Sequence, residues 1–380
     1  MPGKSRTDRA VKRWRLPVGW FGCAVSLPLL VCSANAASQA VASNIVKPAA
    51  RAETIPVPHH GDAADDPAIW IHPMAAELSL ILGTDKQGGL HIYNLDGTER
   101  AVVARGAKPN NVDVLYGFKL GARQVDLAIV TTRAEQARGL QMWAIDPQTR
   151  ELSDVTAGGT IPVLGKGEDE PYGCCTYKSA RSGAAYVFVT AKSGAIEQWA
   201  LRATTEGRIT AVRVCAFKLK SAIEACVADD ELGVVYFGEE KRGVWKMPAD
   251  PSPNPRPKLI AKVGENGFRE DVEGLAIYST TVGTGYLIVS SQGNNTFKIY
   301  EREGLNRFVG TIDPVRREFG DVQDTDGVAV TSCALPPLFP KGLFIAQDGG
   351  NSPATQNFKL FGWEDIAGTN LLIDTKWTPR

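Results

Sequence analysis

The chain of 380 residues carries 42 Lys and Arg against 42 Asp and Glu, with four His and seven Cys, so it has no basic excess with which to bind nucleic acid in general. No CxxC pair is present and histidine is scarce, which excludes a zinc-type Cys/His centre and leaves oxygen-preferring cations as the metals this composition can hold. Two or three domains would be usual for such a length, but a closed circular repeat uses it as one.

In chain order, the first segment differs from everything after it. Residues 1–36 hold six basic residues (Lys4, Arg6, Arg9, Lys12, Arg13, Arg15), an uncharged stretch from Val18 to Leu30, and then Ala34-Asn35-Ala36, the order of a secretory signal cleaved after Ala36. The uncharged stretch is shorter than the roughly 20 apolar residues of a membrane span and contains Pro28. Loss of those six basic residues and of Asp8 leaves 36 basic against 41 acidic residues, a net charge of −5. A secreted or periplasmic monomer without stable membrane association is expected. Residues 37–53, rich in Ala and Ser, read as a flexible leader. The fold is expected over 54–380, with ETIPVPHH supplying an edge strand that closes a ring against its last sheet.

From Asp65 onward, short runs of Val, Ile, Leu, Tyr and Trp alternate with Gly, Asp, Asn and Lys turns, which reads as all-β. Six similar hairpins start at Leu80, Leu127, Ala185, Val234, Tyr286 and Leu343, spaced 47, 58, 49, 52 and 57 residues apart. That is the period of propeller blades, so a six-bladed β-propeller is predicted. The Pro-rich stretch 248–258 reads as a surface crossing. Trp70, Trp143, Trp199, Trp245 and Trp363 read as packing residues. His59 and His60 read as surface, and His72 and His91 as packed or hydrogen-bonded. Five cysteines follow the signal (Cys174, Cys175, Cys215, Cys226, Cys333). An odd number cannot pair completely, and Cys215 with Cys226 is the candidate bridge.

An acidic residue stands ahead of each hairpin: Asp66, Asp113, Glu170, Glu224, Glu273 and Asp326. Several are doubled, as Asp65 with Asp66, Glu168 with Glu170, Asp271 with Glu273 and Asp324 with Asp326. A spacing of two puts both side chains on one side of an extended strand, where they can share a hard cation. The hairpin turns carry Lys86, Arg133, Lys192, Glu239 with Glu240, Gln292, and Asp348 with Asn351. An isolated acidic turn residue is ordinarily just solvated; recurrence at one place in six repeats gathers these groups round an axis, where like charges require cations between them. Carboxylates holding Ca²⁺ beside Lys and Arg suit a phosphate-rich substrate, with the metal lowering the pKa of a bound water. No GxSxG and no P-loop is present.

The motifs DAADDPAIW from Asp62, NNVDV from Asn110, EACVADDELG from Glu224, DVEGLAIY from Asp271, SSQGN from Ser290, DTDG from Asp324, and AQDG with QNFK near the end resemble the β-propeller phytases, also called alkaline phytases, over roughly Asp62 to Gly368. The resemblance implies a six-bladed propeller with structural and catalytic Ca²⁺, hydrolysing the small-molecule substrate phytate (myo-inositol hexakisphosphate) by attack of calcium-bound water, with one phosphate site for cleavage and a neighbouring one for affinity. It implies Asp65, Glu224, Glu240, Asp271, Glu273 and Asp324 or Asp326 as cleft calcium ligands, with Asp62, Asp66, Gln292 and Asp348 completing the metal set. Lys86, Arg133, Tyr172 and Lys192 look like phosphate binders, and Asp65, Glu224, Glu273, Lys86 and Lys192 like the catalytic group. Against the family pattern, Leu115 stands for an arginine, Gln87 for a second lysine and Ser193 for an acid, an expected thinning of the polar surround. Rival readings are a lactonase-like calcium hydrolase, which leaves the Lys and Arg turns without a job, and a calcium-loaded protein that binds an anion without cleaving it.

Overall fold

The computed structural model describes residues 44–165 and 169–379. The signal-like segment, the start of the expected leader and Glu168 lie outside the described residues. Among the described residues there are six sheets, with innermost strands Ala64–Trp70, Pro109–Leu120, Pro171–Lys178, Ile223–Asp229, Leu275–Ser279 and Val328–Thr331. Each innermost strand neighbours the next, and the last neighbours the first, so the ring closes as the predicted six-bladed β-propeller.

The second strands, Leu80–Asp85, Arg123–Thr132, Ala185–Ala191, Val234–Glu239, Gly285–Ser291 and Leu343–Asp348, explain the long apolar runs. A strand sandwiched between two blades buries both faces, so alternate residues enter different cores. In blade two, Leu127 and Ile129 pack with blade three, while Ala128 and Val130 pack with blade one. The apolar interior is accordingly divided into six clusters, one in each seam between adjacent blades. Trp70 and Trp363 are fully buried in such seams. Leu115 is buried in the blade two/three seam; its exchange for an arginine therefore alters a core position and does not thin the cleft.

Closure comes from the N-terminal end, as expected, but begins earlier. Ala52–Glu53 pairs antiparallel with Asn357–Gly362 as the outer strand of blade six, and backbone bonds continue from Thr54 to Phe358 (3.0 Å) and Val57 to Gln356 (3.0 Å). Asn44–Val46 adds a parallel fifth strand to blade five. Residues 44–46 and 52–53 are therefore strands of the propeller, joined by an ordered connection, and not a leader; the β-branched Ile45-Val46 pair and the Glu53 anchor overcome the low-complexity composition around them. The expected Cys215–Cys226 bridge is absent: all five described cysteines are free, because Cys215 donates to Ser252 O (3.3 Å) while Cys226 packs beside Cys175. The Pro-rich stretch connects Gly243–Pro248 with Lys258–Lys262 at the surface of blade four.

Candidate active site and metal centre

Four inner strands share one irregularity at the same end of the ring. Pairing slips between Ala64 and Pro67, Pro109 and Val112, Pro171 and Cys174, and Ile223 and Cys226. In each case the inner strand has one residue more than its partner, a β-bulge that re-aims the side chains it contains. The bulges hold Asp65-Asp66, Asn110-Asn111, Tyr172-Gly173 and Glu224-Ala225. At their bases, Ala64, Pro109, Pro171 and Ile223 face Asp85, Thr132, Ala191 and Glu239, and the next residues along the chain are Lys86, Arg133, Lys192 and Glu240. Each of these four blades thus sets one bulge residue beside one turn residue. Gly173 is required where it stands, since a Cβ there would lie 1.6 Å from Glu224 O. In blade five, Gln292 N–H bonds Asp271 O (3.1 Å), which brings Asp271 and Glu273 to the same mouth.

The side chains converge in two connected groups. Lys86, 9% exposed, places its ammonium against Asp62, Asp65 (3.3 Å) and Asp326 (2.9 Å). Gln292 Nε2 donates to the other oxygen of Asp326 (2.9 Å). Opposite, one ligand oxygen each of Glu240, Asp271 and Glu273 lies within 4.8 Å of the others. Glu224, 2% exposed, stands between the groups and accepts from Asn110 Nδ2 at 2.5 Å. The Lys192 ammonium lies 4.6 Å from the centre of the Tyr172 ring, and Arg133 occupies the equivalent turn of blade two.

Burial and mutual repulsion make this an uneasy set of acids. Burial, then Glu224, pushes Asp65 well above the ordinary carboxylate range, and the same causes raise Glu273. Burial lifts Asp326 to about 6, with Lys86 opposing. Burial, Asp271 and Glu224 lift Glu240 to about 7. For Lys86, burial acts downward, but Asp65, Asp326 and Glu224 outweigh it and hold the ammonium charged. Burial raises Tyr172 too, so its phenol stays neutral. Asp65 Oδ2, Asp271 Oδ1 and Glu273 Oε2 are buried without a hydrogen-bond donor. Buried carboxylate oxygens without a hydrogen-bond donor are strongly disfavoured, and the nearby Lys86 and Lys241 are fewer than the acids gathered here; an all-oxygen set of this kind fits a hard divalent cation such as Ca²⁺.

Not every predicted residue joins the cleft. Asp66 turns to blade two, where its Oδ2 accepts Val112 N–H (3.1 Å). Asp113 likewise accepts Thr176 N–H (2.7 Å) in blade three; both acids tie blades together. Glu170 is exposed and pairs with Arg138 (3.3 Å). Asp324 is exposed, in a left-handed turn (φ 46°). Asp348 lies at the ring closure, 3.4 Å from the Lys359 ammonium, which also meets Glu53 and, at 3.0 Å, Asn351; a lysine already supplies its counter-charge. Glu239 is fully buried and holds the connection from blade three to blade four, accepting from the N–H groups of Lys220 and Ser221 (both 3.0 Å). Gln87 donates to His60 O (2.9 Å) and Asp62 O (3.2 Å), and Ser193 Oγ donates to Asp169. His59, expected as a surface residue, is hydrogen-bonded to Asp85 (2.6 Å). Sequence reasoning missed Asn110 as a site residue: an amide offered no charge to notice, and the bulge that aims it inward leaves no local mark.

A model of the phytase family matches residues 21–380. The chain is 39% identical over 326 residues to a 3-phytase of Bacillus subtilis (strain 168), covering 84% of this chain and 85% of that protein. Among solved structures, the Cps50 (Swd1) β-propeller domain of Myceliophteria thermophila aligns with 79% of this chain and 82% of its own at 12% identity and a TM-score of 0.46. With the family model spanning nearly the whole sequence and a relative of that identity spanning most of it, the chain belongs to the phytase family.

Proposed function

We propose that this protein hydrolyses phosphomonoester bonds of phytate, releasing inorganic phosphate and lower inositol phosphates, and that it does so with Ca²⁺ held in the acidic cleft. Membership of the family and the 3-phytase relative support the phosphomonoesterase activity. The calcium part rests on one observation above all: buried carboxylate oxygens of Asp65, Asp271 and Glu273 that no protein group satisfies. Asp65, Glu224, Glu240, Asp271, Glu273 and Asp326 are the residues that would hold the ions. Bound calcium would neutralise these acids and supply an acidified water as the nucleophile for direct attack on phosphorus.

The chain's own cations and donors complete the chemistry. Lys192 and Arg133 offer charge to phosphoryl oxygens as negative charge builds there, and the neutral Tyr172 phenol beside Lys192, whose O–H faces Glu224, can donate it to phosphate once Glu224 is committed to an ion. An ammonium has three protons, and Lys86 already faces three carboxylates. It can therefore reach a phosphate only by releasing one of them, the exposed Asp62 being the cheapest to release. Phosphate release from phytate by the purified protein, with chelator and then with added Ca²⁺, tests the proposal. Release abolished by chelation and restored by calcium is expected; saturable phytate binding without release would replace the enzyme by an anion-binding protein. We further propose export with cleavage after Ala36, supported by the order of basic, apolar and small residues in the first 36; N-terminal sequencing of the mature protein should begin at Ala37.

A further inference from the structure

Five of the six second strands carry, as the penultimate residue, a side chain that links its own blade to the next. Thr84 Oγ1 accepts Asp66 N–H (2.9 Å) and donates to Asn110 O (2.5 Å). Thr131 Oγ1 accepts Asn111 N–H (3.0 Å) and donates to Tyr172 O (2.9 Å). Thr190 Oγ1 accepts Gly173 N–H (2.9 Å) and donates to Glu224 O (3.4 Å). Ser290 Oγ donates to Thr325 O (3.2 Å) in blade six. Gln347 closes the circle, accepting Asp326 N–H (2.9 Å) and donating to Ala64 O (3.0 Å) in blade one.

The equivalent place in blade four is Gly238. A Cβ there would meet Val272 Cγ1 at 2.8 Å and Ala225 Cβ at 2.9 Å, so no linking side chain fits. The far end of the blade four/five seam is held by the buried Arg302–Asp229 pair (2.6 and 2.7 Å). At the cleft end, Glu224 and Glu240 of blade four meet Asp271 and Glu273 of blade five, and Lys241, the cation beside Asp271, is exposed. Five seams therefore have a neutral link at the cleft, and the sixth has the opposed carboxylates of Glu224 and Glu273, which can hydrogen-bond to each other only when one of them is protonated, with Glu273 Oε2 otherwise buried and unsatisfied.

We propose that Thr84, Thr131, Thr190, Ser290 and Gln347 are positioning residues that carry cleft geometry from blade to blade, and that the unlinked seam between blades four and five is closed by the bound cation itself. The second half rests on the calcium reading above; the first does not. Hydrogen–deuterium exchange on the full chain, with Ca²⁺ and with chelator, tests both without an activity assay. Chelation should speed exchange about tenfold or more in peptides covering 238–242 and 270–275, and leave 108–114 and 171–176 unchanged, as expected for local opening of one seam. Thr131→Val should loosen the blade two/three seam at 108–114 and 171–176 whether or not calcium is present, and Thr131→Ser should restore it. Loosening spread over all six seams, or none despite calcium binding seen by calorimetry, overturns the cation's role. No change in Thr131→Val overturns the linking role. A chain that binds no calcium at all fails the functional proposal and the cation half together, while the Thr131 pair still decides the links.

Discussion

An ammonium enclosed by carboxylates from two blades is a poor candidate for silent replacement. Lys86→Met keeps the length of the side chain but leaves Asp65 and Asp326 buried without their counter-ion. Breaking a buried ionic group in this way costs about 3–5 kcal/mol. The chelated variant should melt several degrees below the parent by scanning calorimetry, with added calcium recovering part of the loss. An unchanged melting temperature would mean that Lys86 is not the charge holding these acids. Lys192 is the contrasting case. It is exposed, so Lys192→Ala should leave the melting temperature within about a degree. Loss of a charged hydrogen bond to phosphate, worth about 1.5–3 kcal/mol, should lower kcat/KM on phytate roughly tenfold or more. If activity persists while the fold is intact, Tyr172 and Arg133 carry the phosphate without it.

At the scale of the blade, the four bulges do most of the positioning, and Gly173 is their most constrained member. Gly173→Ala would drive a methyl group into the Glu224 carbonyl. Blade four must then shift, so activity should fall at least tenfold, measured as initial phosphate release, together with a loss of stability of about 1–3 kcal/mol or more, because the clash is with backbone. Ring closure is the second element with a clear test. A chain beginning at Thr54 lacks both N-terminal strands and the Glu53 partner of Lys359, a lysine only 1% exposed, and loses the Arg51 bonds to Glu364 and Asp365 (2.9 and 2.7 Å). It should melt well below the full chain; equal melting would make the strands ornamental. Blade number and period were legible because every second strand buries both faces and so appears as an apolar run ending in a polar turn. The turn residues Lys86, Lys192 and Glu240 were legible for the same reason, since equivalent turns share one end of a ring. The bulges were not: one added residue changes no composition, yet it decides that Asp65 and Glu224 face the axis while Asp66 faces a neighbouring blade. That Asp113, Glu170, Asp324 and Asp348 lie apart from the axial group was not legible, because acidity at a repeat position says nothing about which backbone N–H or lysine lies within reach.

Across the whole molecule, acids from blades one, four, five and six meet near one axis, which ties stability to pH with a sign that calcium should reverse. In the metal-free protein Asp326 is lifted to about 6 and Glu240 to about 7, above the ordinary values of about 4 that hold in the unfolded chain. Between those limits these two groups bind more protons in the folded state than in the unfolded one, so their contribution to stability falls as pH rises from about 4 to about 7. With calcium the same oxygens have to be deprotonated to act as ligands, so affinity rises with pH over that window, and an ion at a hundred times its dissociation constant adds about 2.7 kcal/mol per site. The gap between the melting temperatures with Ca²⁺ and with chelator should therefore be small at pH 5 and widen steadily to pH 8, chiefly because the chelated protein weakens. Scanning calorimetry at pH 5, 6, 7 and 8 in both conditions measures it. A chelated protein that grows more stable across that range would show that repulsion among the axial carboxylates does not govern the ring.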